Sequence, residues 1–311
     1  MQIVLLFPGQ GSQKPGMGQD LAAAHPAAAE VFRAMDAALG VSLAQLMFAG
    51  PEHELTRTLN AQPALLAHGA AVWAVVRDRI APHVVAAAGH SLGEFTAYHA
   101  AGALGLEAAL RLVRRRGELM YETGISRPGA MAAILGDLKT PIEAVCAEAS
   151  ATGIVVPANY NCPGQVVISG TVSGVEKAME LAKGAGAKRA IKLNVSGAFH
   201  SPLMEPAVPG LQKALALASI TEARFPVFAN VNGEPTSLAG ASADLLLRQL
   251  TSPVQWTLVV TRLAAAHPDA LYVEMGPGSV LTGLVRKIAP QLATMACGTA
   301  AEIEHLLAKV A

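Results

Sequence analysis

Gly89-His90-Ser91-Leu92-Gly93 sets a serine between two glycines, directly after the apolar run Val84 to Ala88 and before a helical run, Glu94 to Ala101. Neither glycine carries a Cβ, so a sharp strand-to-helix turn is open to this string; it would project the Ser91 hydroxyl with the Leu92 N–H beside it. A serine hydroxyl attacks an acyl carbon only when a base takes its proton, and histidine, which titrates near neutrality, is the usual base. Of the nine histidines, His200 in Gly197-Ala198-Phe199-His200-Ser201-Pro202 lies in a loop that could reach over the turn. His25, His53, His83, His267 and His305 sit in polar or helix-terminal surroundings. His68 and His99 fall inside helical runs, where packing or local pairing is the ordinary role. The chemistry expected is attack on an acyl group through a serine ester, ending in transfer or hydrolysis. The bare G-x-S-x-G string also arises by chance in a chain rich in Ala and Gly, so its place after a strand carries the reading.

Two other segments could complete such a site. Phe7-Pro8-Gly9-Gln10-Gly11-Ser12-Gln13 closes the first apolar run with glycines that permit close backbone approach. Arg114-Arg115-Arg116-Gly117 lies on the next long helical run. Leu112 and Leu119, at i−4 and i+3, put Arg116 on the inward face, whereas Arg114 and Arg115 read as solvated. Nucleotide and metal chemistry find no support: Lys14 stands where the third glycine of G-x-G-x-x-G belongs, and neither a phosphate-loop GK[ST] nor HExxH occurs.

The elements that must position these residues alternate. Ile3 to Phe7 and Val84 to Ala88 are short apolar runs stopped by Pro-Gly and Gly, as buried parallel strands are. Residues 27–39 and 61–80 carry helical periodicity, with Asn60 as the expected cap of the second. From 130 to 193 the rhythm changes to strand 131–135, helix 140–149, strand 154–159, strand 165–169, helix 172–184 and strand 188–193. That is the β-α-β-β-α-β order of a split βαβ, or ferredoxin-like, unit. Segments 123–129 and 194–202 read as crossings, and after residue 203 short strands such as Tyr272 to Met275 resume. The expected fold class is therefore α/β, with an α/β-hydrolase-like large domain on a parallel sheet, residues 1–125 and 198–311, and an inserted ferredoxin-like domain, residues 126–197.

Length and composition agree with one compact unit of this kind. At 311 residues, 52% hydrophobic and 15% charged, the chain can bury a large core and is not disordered. Lys plus Arg balances Asp plus Glu at 23 each, which excludes a global field for nucleic acid or an anionic membrane. Cys146, Cys162 and Cys297 are odd in number and lack CxxC spacing, so a disulfide framework and a zinc site are not expected and a reducing cytoplasm is the simplest compartment. The first strand follows Met1 too closely for a signal peptide. The apolar stretch Ala64 to Val76 falls short of the roughly 18 residues that span a bilayer.

Taken in order, F-P-G-Q-G-S-Q, G-H-S-L-G-E, R-R-R-G, G-A-F-H-S and Q-L-T-S-P-V resemble the malonyl-CoA:acyl carrier protein transacylases over nearly the whole chain. The resemblance implies Ser91 as nucleophile and His200 as its base and later acid. A backbone carbonyl at Gln249 would orient the histidine in place of a third acidic member. It further implies the backbone N–H groups of Gln10 and Leu92 as the oxyanion hole, and Arg116 as the cation that takes the substrate carboxylate in two parallel hydrogen bonds. Phe199 stands where related polyketide acyltransferases carry phenylalanine when they favour malonyl over methylmalonyl. The implied donor is malonyl-CoA, a substrate and not a cofactor, and none is expected. The implied acceptor is the phosphopantetheine thiol of an acyl carrier protein, approached across a basic lip drawn from Lys183, Lys188, Arg189, Lys192, Arg111, Arg114 and Arg115. A monomer suffices, and no nucleic acid or membrane partner is expected. Asn159 and Asn161 resemble a family segment near the cleft without a derivable role. Fatty-acid synthesis is the expected pathway. The alternatives are trans-acting malonyl transfer in polyketide synthesis or malonate decarboxylation, a serine esterase or thioesterase, and a non-catalytic carrier-docking subunit.

Overall fold

A computed structural model describes residues 1–310. Among these residues ten strands form two sheets. The first takes β1 (Ile3–Phe7), β2 (Val84–Gly89), β7 (Val227–Phe228), β8 (Pro235–Thr236), β9 (Leu271–Glu274) and β10 (Ala293–Ala296) in the order β10-β9-β1-β2-β7-β8. Every pairing is parallel except that of β8 with β7. The second takes β3 (Ala130–Leu135), β4 (Val155–Cys162), β5 (Gln165–Gly170) and β6 (Arg189–Lys192) in the order β4-β5-β3-β6, antiparallel throughout.

The uninterrupted apolar runs have a direct cause. Along β1, Ile3, Leu5 and Phe7 point into one core and Val4 and Leu6 into another, and in β9 Leu271 and Val273 part from Tyr272 in the same way. Helices cover both faces of this sheet, so neither face of a central strand has a use for polar side chains. The second sheet has its own core of strand and helix residues, among them Ile134, Val145, Ile168 and Val175.

The helix Thr58–Ile80 extends three residues beyond the expected start. Arg57 is its N-cap, and Asn60 lies in the first turn, where its Nδ2 donates to the Glu54 carbonyl at 2.9 Å, so Asn60 is not the cap. With its short 3₁₀ extension this segment is long and apolar enough to cross a membrane, yet 78% of its most apolar window is buried inside the molecule. Its apolar surface on all sides is that of a helix enclosed by others, here those of Pro26–Leu39, Leu92–Ala100 and Leu106–Ser126. Strand β4 runs three residues past its expected end, to Cys162, because Asn159, Tyr160 and Cys162 still find partners on β5.

Candidate active site

The turn at Ser91 is built from absences of side chain. A Cβ on Gly89 would strike the Gly93 backbone, and one on Gly93 would strike the Phe7 carbonyl. The helix Leu92–Ala100 can therefore start hard against β1 and β2. Ser91 takes φ 50° and ψ −105° as the residue before that helix. His200 also has a positive φ, 57°. Both conformations are unfavourable for side chains with a Cβ and persist only where the surroundings enforce them.

Asn230, in the loop after β7, is the enforcing residue at the turn. Its Oδ1 accepts from the Ser91 N–H at 2.7 Å and its Nδ2 donates to the Gly89 carbonyl at 2.7 Å, so one buried amide pins both sides of the elbow. Gln249 closes the turn from the other side, donating from Nε2 to the Ser91 carbonyl at 3.0 Å and to Glu94 Oε2 at 2.7 Å.

Ser91 Oγ lies 2.7 Å from His200 Nε2, and His200 Nδ1 lies 2.9 Å from the Gln249 carbonyl. A carbonyl can only accept, so Nδ1 carries the proton, and Nε2 is left with the lone pair that receives the serine proton. Burial first, and then the Arg116 guanidinium, push His200 down to about 3, which keeps the imidazole neutral.

Arg116 is 1% exposed, so its place on the inward face of its helix is realised. It lies over the Phe95 ring at 5.2 Å, donates from Nη1 to Gln62 Oε1 at 2.9 Å, and donates from Nη2 to Gln249 Oε1 at 2.9 Å and to Ser91 Oγ at 3.2 Å. Burial lowers it to about 10, which leaves it charged at neutral pH, while Glu94 acts in the opposite sense. Glu94 itself is fully buried and is raised to about 7 by that burial; its Oε1 has no partner.

The loop after β1 lies beside the elbow because Gly9 faces the His90 carbonyl, which a Cβ would approach to 2.5 Å. This brings Gln10 to the site, its side chain tied to Thr58 Oγ1 at 3.2 Å. Among the described residues neither the Gln10 nor the Leu92 N–H has an acceptor. Gln10, Ser91, Leu92, Arg116, Phe199 and His200 together line a cavity of about 380 Å³ between the two sheets, and Gln249 lies buried just behind it. All seven expected site residues thus meet in one place.

Several participants escaped sequence reasoning. Glu94, Asn230 and Gln62 form the buried frame, and His90 joins the cavity wall with its Nε2 2.9 Å from Asn161 Oδ1. Asn159 and Asn161, expected near the cleft without a role, both line the same cavity. Glu94 immediately follows the glycine-serine string, which was a usable signal; Asn230 had none, its partners lying about 140 positions earlier. Of the seven cations expected at the basic lip, four have carboxylate partners: Arg111 pairs with Glu107, Arg114 with Glu118, Arg115 with Glu118 and Glu122, and Lys192 with Glu176.

A family profile for the acyl transferase domain matches residues 4–303. The malonyl CoA-acyl carrier protein transacylase of Bacillus subtilis strain 168 is 45% identical over 305 residues, covering 97% of this chain and 95% of that protein. Among solved structures, an acyl-carrier-protein-S-malonyltransferase from Bartonella henselae superposes with TM-score 0.95 at 40% identity, covering 100% of this chain and 99% of the other. A malonyl-transacylase solved in complex with its type II PKS acyl-carrier protein also gives TM-score 0.95 at 40% identity, covering 99% and 100%. A serine elbow, a neutral histidine and a buried arginine in one cavity, with identity of this order along nearly the full length, place the chain in the malonyl CoA-acyl carrier protein transacylase family.

Proposed function

We propose that this chain moves a malonyl group from malonyl-CoA to the phosphopantetheine thiol of an acyl carrier protein, through an ester on Ser91, and so supplies malonyl units for fatty-acid synthesis. The observation that carries the reading is the placement of one buried guanidinium within 3.2 Å of a serine oxygen that is itself 2.7 Å from a neutral histidine. A substrate held by a carboxylate at Arg116 would bring its acyl carbon onto Ser91.

In the first half-reaction His200 Nε2 takes the hydroxyl proton as Oγ bonds to the thioester carbon. The N–H groups of Gln10 and Leu92 receive the oxyanion, and the C–S bond breaks with the proton passing from His200 to the CoA sulfur. The second half-reaction runs the same steps in reverse with the carrier thiol. Side chains and backbone suffice for both, so the scheme calls on no cofactor. Phe199 would fill the space that a methyl branch needs. A second depression of about 620 Å³ shares Gln10, Thr56, Asn194 and Val195 with the first cavity and has room for a pantetheine arm.

We read the architecture as an α/β-hydrolase-like domain, residues 1–125 and 198–311, with a ferredoxin-like insert, 126–197. Strand order β4-β5-β3-β6 supports the second label, and the parallel central strands support the first. A monomer contains the whole site, and three free, buried cysteines fit a cytoplasmic setting. Polyketide supply is the second reading, favoured by the equal likeness to a transacylase that serves a type II PKS carrier.

Intact-mass analysis after mixing with malonyl-CoA should give a malonyl adduct in the wild type and none in Ser91→Ala. An adduct of undiminished yield in that variant, or rapid hydrolysis of neutral esters without transfer to a carrier, would sink the assignment.

A further inference from the structure

The bond from Arg116 Nη2 to Ser91 Oγ is odd for a residue whose task is to hold a distant carboxylate. It engages a lone pair of the oxygen that must attack. Among the described residues no carboxylate forms an ion pair with Arg116; Glu94 reaches it only through the Gln249 amide. A cation without a direct counter-charge also stands beside His200, and it opposes the imidazolium that forms when the serine proton is transferred. The Ser91–His200 pair is therefore held back twice, at the nucleophile and at the base.

The donors on Arg116 say what relieves this. Nη1 gives one N–H to Gln62, and Nη2 gives its two to Gln249 and Ser91. Nε and the second N–H of Nη1 have no partner; a carboxylate that forks onto Nη2 and either of them from the cavity side, which Ser91 lines and Gln249 does not, displaces Ser91 at Nη2. Resting on the malonyl-transfer reading above, we infer that the donor's free carboxylate switches the Ser91–His200 pair on: by drawing Arg116 Nη2 away from Ser91 and cancelling the guanidinium charge, it releases the nucleophile and lets the base accept a proton. Selectivity for malonyl is then exerted on the rate of acylation as well as on binding. In the released state the Oγ–C bond forms as the proton moves to His200 Nε2, and the C–S bond breaks as that proton leaves on the CoA thiol. An acetyl group, lacking the carboxylate, meets a serine still held by Arg116.

Acetyl-CoA and formate together present the two ends of malonyl-CoA without the bond between them. Single-turnover acetylation of Ser91 is followed by intact mass at rising formate, with ionic strength held by chloride. Wild-type acetylation should accelerate saturably by about tenfold, the scale of one charge-assisted hydrogen bond released. Arg116→Ala should begin above the wild type and ignore formate. Inhibition of malonylation by formate, read in parallel, reports that the arginine site is filled. The inference is overturned if wild-type acetylation is flat or slowed over the range that inhibits malonylation, if Arg116→Ala responds to formate as the wild type does, or if formate has no effect and Arg116→Ala acetylates no faster than wild type. Loss of malonyl-Ser91 in the wild type would instead remove the functional reading, so the two failures are told apart.

Discussion

Glu94 is a carboxyl sealed in the interior with one oxygen bonded to Gln249 Nε2 and the Asn230 N–H and the other bonded to nothing. It dictates which end of the Gln249 amide faces Arg116: with Nε2 on the carboxylate, Oε1 must face the guanidinium. Its folded value near 7, against 4.5 when solvated, fixes the sign of its effect on stability. The contribution is full below about 4.5 and is lost as pH rises through about 7, because the unfolded chain gives up the proton earlier. Glu94→Gln does not titrate. Its stability relative to wild type should therefore climb between pH 4.5 and 7, by about 3 kcal/mol, and level off above, as read from denaturant melts at several pH values. A difference that does not change with pH would mean that Glu94 keeps an ordinary carboxylate value in the fold. At this scale the sequence was readable where residue type and local context fix a placement, as with Ser91, His200 and Arg116, which meet in one cavity. It was silent for Asn230, an ordinary asparagine made important only by bonds to Ser91 and Gly89 across the sheet.

At the scale of elements, the elbow depends on how closely the helix Leu92–Ala100 approaches β1 and β2. In Gly93→Ala the new methyl would meet the Phe7 carbonyl, and the helix must retreat from the strand. The expected results are a loss of about 2 kcal/mol in stability and about a hundredfold in kcat/KM, since a displacement near 1 Å takes Oγ off line from His200. Steady-state rates with malonyl-CoA and a thermal melt test both; full activity with unchanged melting would show that the close approach is dispensable. Strand β1 and the elbow were legible because apolar runs ended by glycine have few other solutions. Helix starts were less so. Asn60 has the chemistry of a cap, but the chain turns helical at Thr58, and the cap position falls to Arg57, whose side chain caps nothing. The end of β4 was hidden because Tyr160 and Cys162 are in the strand through their partners and not through any alternation of their own.

For the molecule as a whole, the cavity exists because two separately cored sheets face each other across it, and the chain passes twice between them. Those passages touch: a Cβ on Gly124 would collide with the Ser196 carbonyl, and Gly197 lies against Gly124 as well. Gly124→Ala should part the crossings, lower stability by about 1–3 kcal/mol and cut kcat/KM by about tenfold as Phe199 and His200, on the second crossing, lose their set. A variant that melts earlier yet transfers malonyl at the wild-type rate would uncouple the crossings from the site. The change of rhythm at residue 130 marked the second sheet in the sequence, since local strands and helices pair with near neighbours. The partners of β1 were not marked, because β9 lies more than 260 positions away.

That distance matters before the protein is complete. Strand β1 is synthesised more than 260 residues before β9, yet it sits between β2 and β9, so one of its edges stays open until Leu271–Glu274 has been made. The antiparallel sheet of residues 130–192 pairs among its own strands, apart from the bridge of Asn159 to Val254, and can begin to close while synthesis continues. A nascent chain of this protein therefore carries a nearly closed antiparallel sheet beside an unfinished parallel one, with an apolar strand edge exposed until β9 is made. Its need for protection by a chaperone should be greatest in that interval and should end abruptly when β9 emerges.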